Sequence, residues 1–218
     1  MSRVLVFGGH GRIALLLEPI LSARGDEITA VIRNADHVAD VEATGATALV
    51  ADVESMDVDA LAEIIEGHDA IVWSAGAGGG DPKRTYAVDR DAAIRSMISA
   101  AKAGVRRYLM VSWRGSVEDH GIAPSDSFHP YADAKWTADA HLRETDLKWT
   151  ILGPGALTFD EPTGRILIDA APPASVSRAD VAAVIVAALD DPGTIGRTIR
   201  FGNGTPDRSE PIAEALHG

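Results

Sequence analysis

Short apolar runs alternate with amphipathic stretches along the whole chain. The apolar runs have the length of strands and are continuously hydrophobic, which is typical of strands covered on both faces of a parallel sheet. Between them, hydrophobic residues recur at helical spacing, and Gly25, Gly67 and Gly104 stand where helices should end. The pattern predicts strands over 4–7, 28–32, 46–50, 70–73, 108–111, 149–152 and 197–201, and helices over 12–23, 36–44, 58–65, 86–103, 131–144, 180–189 and 212–216.

Regular alternation of strand and helix with short turns is typical of parallel βαβ units. We therefore predict an α/β fold, with a doubly wound parallel sheet and helices on both faces, in one domain that spans residues 1–218. Two segments without periodicity, 112–130 and 153–178, follow strand ends. Because ligands bind at the carboxyl edge of such sheets, we expect 153–178 to form a small substrate-side region.

Charge and composition exclude several classes of function. The 218 residues include 32 acidic and 20 basic side chains, a formal net charge of −12, which disfavours nucleic acid and anionic membrane surfaces as partners. No apolar run approaches the length of a membrane span, and the first residues lack a signal-peptide pattern, so we expect a cytoplasmic protein. The chain has no cysteine, and His10, His129 and His141 are not spaced as metal ligands, so we expect no metal.

A glycine-rich turn joins the first predicted strand to the first helix. Gly8, Gly11 and Ala14 give the pattern G-x-x-G-x-x-A. Gly8 allows a sharp turn, Gly11 lets the backbone approach a pyrophosphate at the positive end of the helix, and Ala14 permits close packing. The turn predicts a dinucleotide site; the alternative is a glycine-rich turn without a ligand. The residues expected around the pyrophosphate are Gly8, Gly9, His10, Gly11, Arg12 and Ile13.

The end of the second strand predicts which dinucleotide is bound. An acidic residue usually binds the ribose 2′-hydroxyl at this position, but here Arg33 and Asn34 follow the strand. A guanidinium suits a 2′-phosphate, and Arg12 could reach the same group, so we predict NADP, with NAD as the alternative. Arg33 could equally be a solvated surface residue. Further cofactor contacts, or plain turns, are expected at two more strand ends: Asp52 and Val53, then Ser74, Ala75 and Gly76.

Tyr131 and Lys135 stand four residues apart, on one face of a predicted helix. A nearby ammonium should lower the pKa of the tyrosine, and Lys135 could also bind the nicotinamide ribose. Tyr131 would then be the general acid or base during hydride transfer, unless the pair is a chance arrangement. Ser112 ends the fifth strand and could hold the substrate oxygen. Alternative hydroxyl donors are Ser116, Ser125 and Ser127.

Together these motifs resemble the atypical NAD(P)H-binding branch of the short-chain dehydrogenase/reductase superfamily, which includes NmrA-like and flavin/biliverdin reductase-like proteins. The resemblance implies a Rossmann fold, a bound NAD(P), often epimerase, dehydratase or reductase chemistry, and a cofactor contact at Pro154. Two positions depart from the branch: Trp113 replaces a second serine, and Gly153 replaces an arginine. The segments that carry the resemblance are 8–14, 31–34, 101–112, 131–135, 149–155 and 177–182.

We therefore expect an NADP-dependent oxidoreductase that transfers hydride between the nicotinamide and a small carbonyl, quinone or flavin substrate, as a monomer or homodimer. One alternative is a non-catalytic protein that senses NADP(H) and reports to a partner. Another is an NAD-dependent enzyme resembling sugar epimerases and dehydratases. Trp113 and Trp136 are candidates for a pocket wall or for the core, and 89–91 should be a solvated start of the 86–103 helix.

Overall fold

A mostly parallel sheet forms the centre of the structure, a computed structural model that describes residues 1–78 and 81–217. Within these residues, seven neighbouring strands run parallel in the order β3–β2–β1–β4–β5–β6–β10, and β8 and β11 follow antiparallel at one edge. The strands are β1 (Arg3–Phe7), β2 (Glu27–Ile32), β3 (Thr47–Val50), β4 (Ala70–Trp73), β5 (Arg107–Val111), β6 (Lys148–Pro154), β7 (Ala156–Thr158), β8 (Arg165–Ile168), β9 (Ser175–Ser177), β10 (Arg197–Gly202) and β11 (Glu210–Pro211).

Helices cover both faces of the sheet, as the pattern predicted. One face packs against α1, α7 and α8, and the other against α3, α5 and α6. In the described part of the chain no helix is long and apolar enough to cross a membrane. The helices are α1 (Ala14–Ala23), α2 (Val38–Glu42), α3 (Val58–Ile65), α4 (Pro82–Thr85), α5 (Ala93–Ala103), α6 (His129–Arg143), α7 (Arg178–Asp190) and α8 (Ile212–His217).

The first strand shows why the strands read as unbroken apolar runs. Successive side chains of a strand point to opposite faces of the sheet. Val4 and Val6 belong to the buried cluster on the α1 face, whereas Leu5 and Phe7 belong to the cluster on the α3 face. Both faces are buried, so the sequence has no polar alternation, and the doubly wound α/β prediction is confirmed.

Several helix boundaries differ from the prediction. The first helix begins at Ala14, not at Arg12, because the preceding residues form the glycine turn. The helix predicted over 86–103 begins at Pro82, where the side chain of Asp81 accepts a hydrogen bond from the Lys83 amide. It then continues through a π-helical segment, Tyr86–Ala92, into α5. The next helix begins at His129, two residues before the predicted start at Tyr131.

The segment 153–178 was expected to lack regular structure, and this was wrong. It contains the end of β6 and the short strands β7, β8 and β9. Strands β7 and β9 pair in parallel as a separate two-stranded sheet, and β8 pairs with β10. Strands of three or four residues are too short to show periodicity, and their partners lie far away in the sequence. This region flanks the carboxyl end of β6, on the side predicted for substrate.

Candidate functional site

The glycine turn is fixed by its neighbours on both sides. The amides of Gly8 and Gly9 both donate to the Val31 carbonyl, at 3.1 and 3.0 Å, and the Gly11 amide donates to the Gly8 carbonyl at 2.7 Å. Gly8 has φ +82°, in agreement with the predicted sharp turn. A Cβ on Gly8 would lie 2.7 Å from Cα of Ala75. The turn therefore depends on glycine both for conformation and for space.

A first cavity of about 270 Å³ opens at the carboxyl ends of β1 to β4. The glycine turn forms one side and the N-terminus of α1 lies beneath it, where unpaired backbone amides favour a phosphate. The cavity thus has backbone donors that fit the phosphate groups of a dinucleotide. Residues predicted from sequence that line it are Gly8, His10, Gly11, Arg33, Asn34, Asp52, Val53, Ser74, Ala75 and Gly76.

Three residues predicted for the pyrophosphate region do not line this cavity. Gly9 is buried below the turn, where a Cβ would lie 2.6 Å from the Cβ of Ala30, and Ile13 packs into the core. Arg12 turns outward, and its Cζ lies 5.1 Å from the centre of the Phe159 ring. Arg33, by contrast, is exposed at the rim of the cavity. Of the two arginines predicted for a 2′-phosphate, only Arg33 lines the cavity.

The rim of the first cavity contains residues that the sequence did not indicate. The rings of His10 and His37 stack at 3.6 Å between centroids, and His10 Nε2 lies 3.0 Å from Oδ2 of Asp40. Arg84 donates to the Ala77 carbonyl at 2.6 Å and to Glu54 at 3.3 Å. His37, Glu54 and Arg84 belong to no motif, so only the folded chain reveals their place.

A second cavity of about 560 Å³ lies beyond the ends of β5 and β6. Ser112 and Tyr131 both line it, so the structure brings two of the three predicted catalytic residues to one place. Pro154, predicted to contact the cofactor, lines this cavity and not the first. The other lining residues are Trp113, Arg114, Gly115, Phe128, Gly155, Ala156, Leu157, Pro172, Ala174 and Arg178.

A third cavity, of about 540 Å³, lies between the other two. It shares Gly76 with the first cavity, and Phe128 and Tyr131 with the second. The three cavities therefore adjoin one another along the carboxyl edge of the sheet, where ligands bind in doubly wound folds, and together they are called the groove below. Tyr131 lies at the junction between the candidate cofactor end and the candidate substrate end.

The environment of Tyr131 differs from the one predicted. Burial raises the pKa of its phenol, and the carboxylates of Asp89 and Asp139 raise it further. The prediction that Lys135 lowers the pKa was therefore wrong, because desolvation and two negative charges oppose the phenolate. Lys135 is itself buried and lines neither main cavity; its Nζ donates to the Val111 carbonyl at 2.8 Å.

A buried carboxylate lies behind Ser112. Oδ2 of Asp139 accepts hydrogen bonds from Ser112 at 2.5 Å and from Ser116 at 2.6 Å, and Oδ1 has no partner among the described residues. Burial raises the pKa of Asp139, and the charge of Lys135 opposes the shift. The available sequence signal was helical spacing: Asp139 lies one turn after Lys135, on the same face of α6.

Asp89 is a second buried acidic residue, although the segment 89–91 was predicted to be solvated. Asp89 is 2% exposed, and its Oδ2 accepts a hydrogen bond from the Ala77 amide at 2.9 Å. Burial raises its pKa, and Lys135 is the leading opposing charge. Because the helix starts at Pro82, Asp89 occupies an interior position and not a helix start. Trp136, a candidate for the pocket wall, lies outside the cavities described above, with Arg143 over its ring.

Comparison with known proteins places this groove in a family context. A Bacillus subtilis protein named as an uncharacterized sugar epimerase, YhfK, is 34% identical over 98% of both chains. The solved structure of a candidate NAD-dependent epimerase/dehydratase from Bacillus halodurans has a TM-score of 0.88, 32% identity and 99% coverage of both chains. The oxidoreductase YlbE from Lactococcus lactis has a TM-score of 0.85 and 32% identity, covering 98% of this chain and 94% of its own.

The family model described as NAD(P)H-binding matches residues 8–192. That match begins at Gly8, includes all four strand ends that surround the first cavity, and extends to the end of α7. It confirms the resemblance drawn from the sequence motifs and the expectation of a nicotinamide dinucleotide. Since it covers well over half of the chain, this protein belongs to the NAD(P)H-binding family.

Proposed function

We propose that the protein is an NADP-dependent oxidoreductase that transfers hydride between the nicotinamide and a small carbonyl, quinone or flavin-type substrate. The observation that carries this proposal is the groove of three adjoining cavities, with Tyr131 and Ser112 at its substrate end. A reductase needs a cofactor site, an adjoining substrate site and a proton donor between them. This groove supplies a candidate for each.

The first cavity is the proposed cofactor site. The glycine turn would bind the pyrophosphate, Arg33 and Asn34 the 2′-phosphate, Asp52 and Val53 the adenine, and 74–76 the nicotinamide ribose. The positive end of α1 supports the pyrophosphate, and the exposed guanidinium of Arg33 supports NADP over NAD. When bound, the cofactor supplies or accepts the hydride.

Tyr131 is the proposed proton donor to the substrate oxygen. Burial and the neighbouring carboxylates raise its pKa, so its hydroxyl stays protonated at neutral pH and can donate in the reductive direction. Ser112 would place a second hydroxyl at the same oxygen. Lys135 holds the end of β5 through the Val111 carbonyl and partly balances the charges of Asp89 and Asp139.

A second candidate function is an NAD-dependent sugar epimerase or dehydratase. The names of the Bacillus subtilis and Bacillus halodurans relatives favour it. An enzyme of that class returns the hydride to its own product, so it retains its dinucleotide and does not consume NADPH. The two candidates therefore differ in a directly measurable way.

The test incubates the protein with NADPH and a panel of quinones, flavins and aldehydes, and follows the nicotinamide absorbance. We expect turnover with at least one compound and a loss of about 10²-fold or more in Tyr131→Phe, the usual effect of removing a general acid. Tyr86→Phe is the matched control, because Tyr86 lines none of the three cavities and should retain the activity.

Two outcomes would overturn the proposed reductase. Tight NADPH binding without turnover across the panel would favour a protein that senses NADP(H). Tightly held NAD after purification, together with interconversion of sugar nucleotides, would favour the epimerase.

A further inference from the structure

Aromatic rings form one wall of the second cavity. The ring centroid of Trp113 lies 5.1 Å from that of Phe128 and 6.3 Å from that of Tyr131, and the last two rings are 5.1 Å apart. Pro154, among other apolar residues, adds to the lining. The chain has only eleven Phe, Trp and Tyr residues, so three in contact at one cavity is a marked concentration. Such a wall favours a flat, conjugated ligand, since aromatic faces pack well on ring systems.

The same cavity has a positive lining in an acidic protein. Among its described lining residues Arg114 and Arg178 are charged and none is acidic, although the chain carries a net charge of −12. Nη1 of Arg178 donates to the Thr158 carbonyl at 2.8 Å, and its Cζ lies 4.1 Å from the centre of the Phe159 ring. A cleft lined by one sign of charge concentrates ligands of the opposite sign.

The charge of Arg178 is not neutralised within the described chain. The ion pairs found there do not include Arg178 or Arg12, and these two guanidinium groups face the same Phe159 ring. Burial and the charge of Arg12 both lower the pKa of Arg178. A bound anion would relieve this repulsion.

Arg114, like Arg178, is in none of the ion pairs found among the described residues. The aromatic wall and these two arginines line one cavity of about 560 Å³, within the usual size range for a small-molecule site.

We propose that the second cavity binds a planar, conjugated carbonyl compound of two or three rings that carries a carboxylate. The rings lie against Trp113 and Phe128, and the carboxylate binds Arg178 and Arg114. This inference deepens the proposed function and rests on it, because the compound is the hydride acceptor of that reductase. Arg178 is assigned to the substrate and not to the cofactor phosphates, since it lines the second cavity and not the first.

The test uses ligands that cannot be reduced, so it does not depend on turnover. Isothermal titration calorimetry of the full protein saturated with NADP⁺ compares 2-naphthoate, 2-naphthamide and cyclohexanecarboxylate. We expect 2-naphthoate to bind at least 10-fold more tightly than the amide, which lacks the charge, and than the cyclohexane acid, which lacks the flat rings. Equal affinity for 2-naphthoate and 2-naphthamide would overturn the proposal with the native protein alone.

Variants then locate the carboxylate. Arg178→Gln and Arg114→Gln should each reduce the ratio of the affinities for 2-naphthoate and 2-naphthamide at least 5-fold. Arg106 is an exposed arginine outside the cavity, so Arg106→Gln should leave this ratio unchanged. NADPH affinity should change less than 2-fold in Arg178→Gln. Weaker NADPH binding with unchanged naphthoate binding would assign Arg178 to the cofactor and overturn the proposal. If the protein binds 2-naphthoate more tightly than 2-naphthamide but turns over no compound in the NADPH assay, the carboxylate site is supported and the proposed reductase function is contradicted.

Discussion

The hydroxyl of Ser112 donates a hydrogen bond of 2.5 Å to Oδ2 of Asp139. Ser112 lines the substrate end of the groove, but its single proton is directed at a buried carboxylate and not at the cavity. While Asp139 is ionised, Ser112 cannot donate to a substrate oxygen. A neutral Asp139 can donate to Ser112 instead and free the serine proton. The protonation state of Asp139 therefore controls what Ser112 can do.

This relationship predicts a pH dependence. Burial raises the pKa of Asp139, so its neutral form persists to higher pH than that of an ordinary aspartate. Lys135 and Arg143 oppose the shift, and the pKa values of Tyr108 and Tyr131 are themselves raised, which keeps both phenols neutral. The kcat/KM for a carbonyl substrate should fall as the pH rises through the Asp139 pKa. This fall forms an alkaline limb in the plot of kcat/KM against pH, and Asp139→Asn should lack it.

The matched control is Ser116→Ala. Ser116 donates to the same oxygen at 2.6 Å but does not line the second cavity, so its removal should preserve the limb. Loss of one donor to the carboxylate should move that limb to higher pH. An unchanged alkaline limb in Asp139→Asn would show that another group titrates.

Glu18 predicts a pH-dependent stability. It is buried on α1, accepts one hydrogen bond of 2.9 Å from Thr44, and has a pKa raised by burial from 4.5 to about 7. The folded state therefore binds this proton more tightly than the unfolded state. The contribution of Glu18 to the free energy of unfolding is therefore greatest below about pH 4.5, decreases as the pH rises to about 7, and is constant above that pH.

Glu18→Gln removes this penalty. At pH 8 the variant should unfold with a free energy ~1–3 kcal/mol larger than that of the native protein, because one pKa unit corresponds to about 1.4 kcal/mol. At pH 4 the two should agree within about 0.5 kcal/mol. Urea unfolding at both pH values measures the difference, and Glu63→Gln on the exposed face of α3 is the control. An equal gain at both pH values would refute a titrating Glu18.

The sequence predicted the strands and helices whose pattern of apolar and polar residues is compatible with only one type of secondary structure. The continuous apolar run at β4 and the amphipathic run at α3 were predicted with the bounds that the structure shows, 70–73 and 58–65. Gly104 ends α5 in the left-handed conformation, as its position after the last helical residue indicated. Strands β7 and β9 were missed because three residues can pair only after β6 has brought them together.

Sequence motifs predicted most of the residues that line the first cavity. They did not predict the buried aspartates, because a buried aspartate is an exception to the usual exposure of this residue type. The glycine turn and the strand ends surround the first cavity because backbone geometry determines both. Asp89 and Asp139 were missed as buried residues because aspartate is normally exposed. Lys135 lies on the same helix as Asp139 but on a different one from Asp89, and its charge opposes the raised pKa of both aspartates. The Ala77 amide and the Ser112 hydroxyl, which bind these carboxylates, come from other parts of the chain, so no local pattern reveals the burial.

The close packing of Gly8 in the glycine turn predicts that Gly8→Ala lowers the free energy of unfolding more than Gly25→Ala, a similar substitution outside the turn. Gly8 and Gly25 both have positive φ, +82° and +83°. A Cβ at Gly8 would lie 2.7 Å from the backbone of Ala75, whereas a Cβ at Gly25 would meet no described atom within 4 Å. Gly25→Ala should cost ~1–2 kcal/mol for the left-handed conformation alone. Gly8→Ala should cost about 1–3 kcal/mol more through overpacking.

Urea unfolding of both variants measures these costs. Gly8→Ala should also bind NADPH more weakly, because relief of the clash separates the turn from the residues after β4. Gly25→Ala should bind NADPH as the native protein does. Equal destabilisation of the two variants would show that the turn moves without cost, and the close approach of Gly8 and Ala75 would then have no energetic weight.

Arg33 predicts the choice between dinucleotides. Its exposed guanidinium lines the first cavity at the end of β2, whereas Arg12 contacts Phe159 and does not line the cavity. Arg33→Ala should weaken NADPH binding by about 10- to 100-fold, the usual effect of removing a charged hydrogen-bond donor, and should change NADH binding less than 2-fold. Arg12→Ala should leave the ratio of the two affinities unchanged, because Arg12 does not reach the 2′-phosphate.

Calorimetric titration of both cofactors into the native protein, Arg33→Ala and Arg12→Ala measures these affinities, with Lys83→Ala as an exposed control outside the cavity. Equal affinities of the native protein for NADPH and NADH would refute the preference, and a loss of that preference in Arg12→Ala alone would move the 2′-phosphate site to the glycine turn.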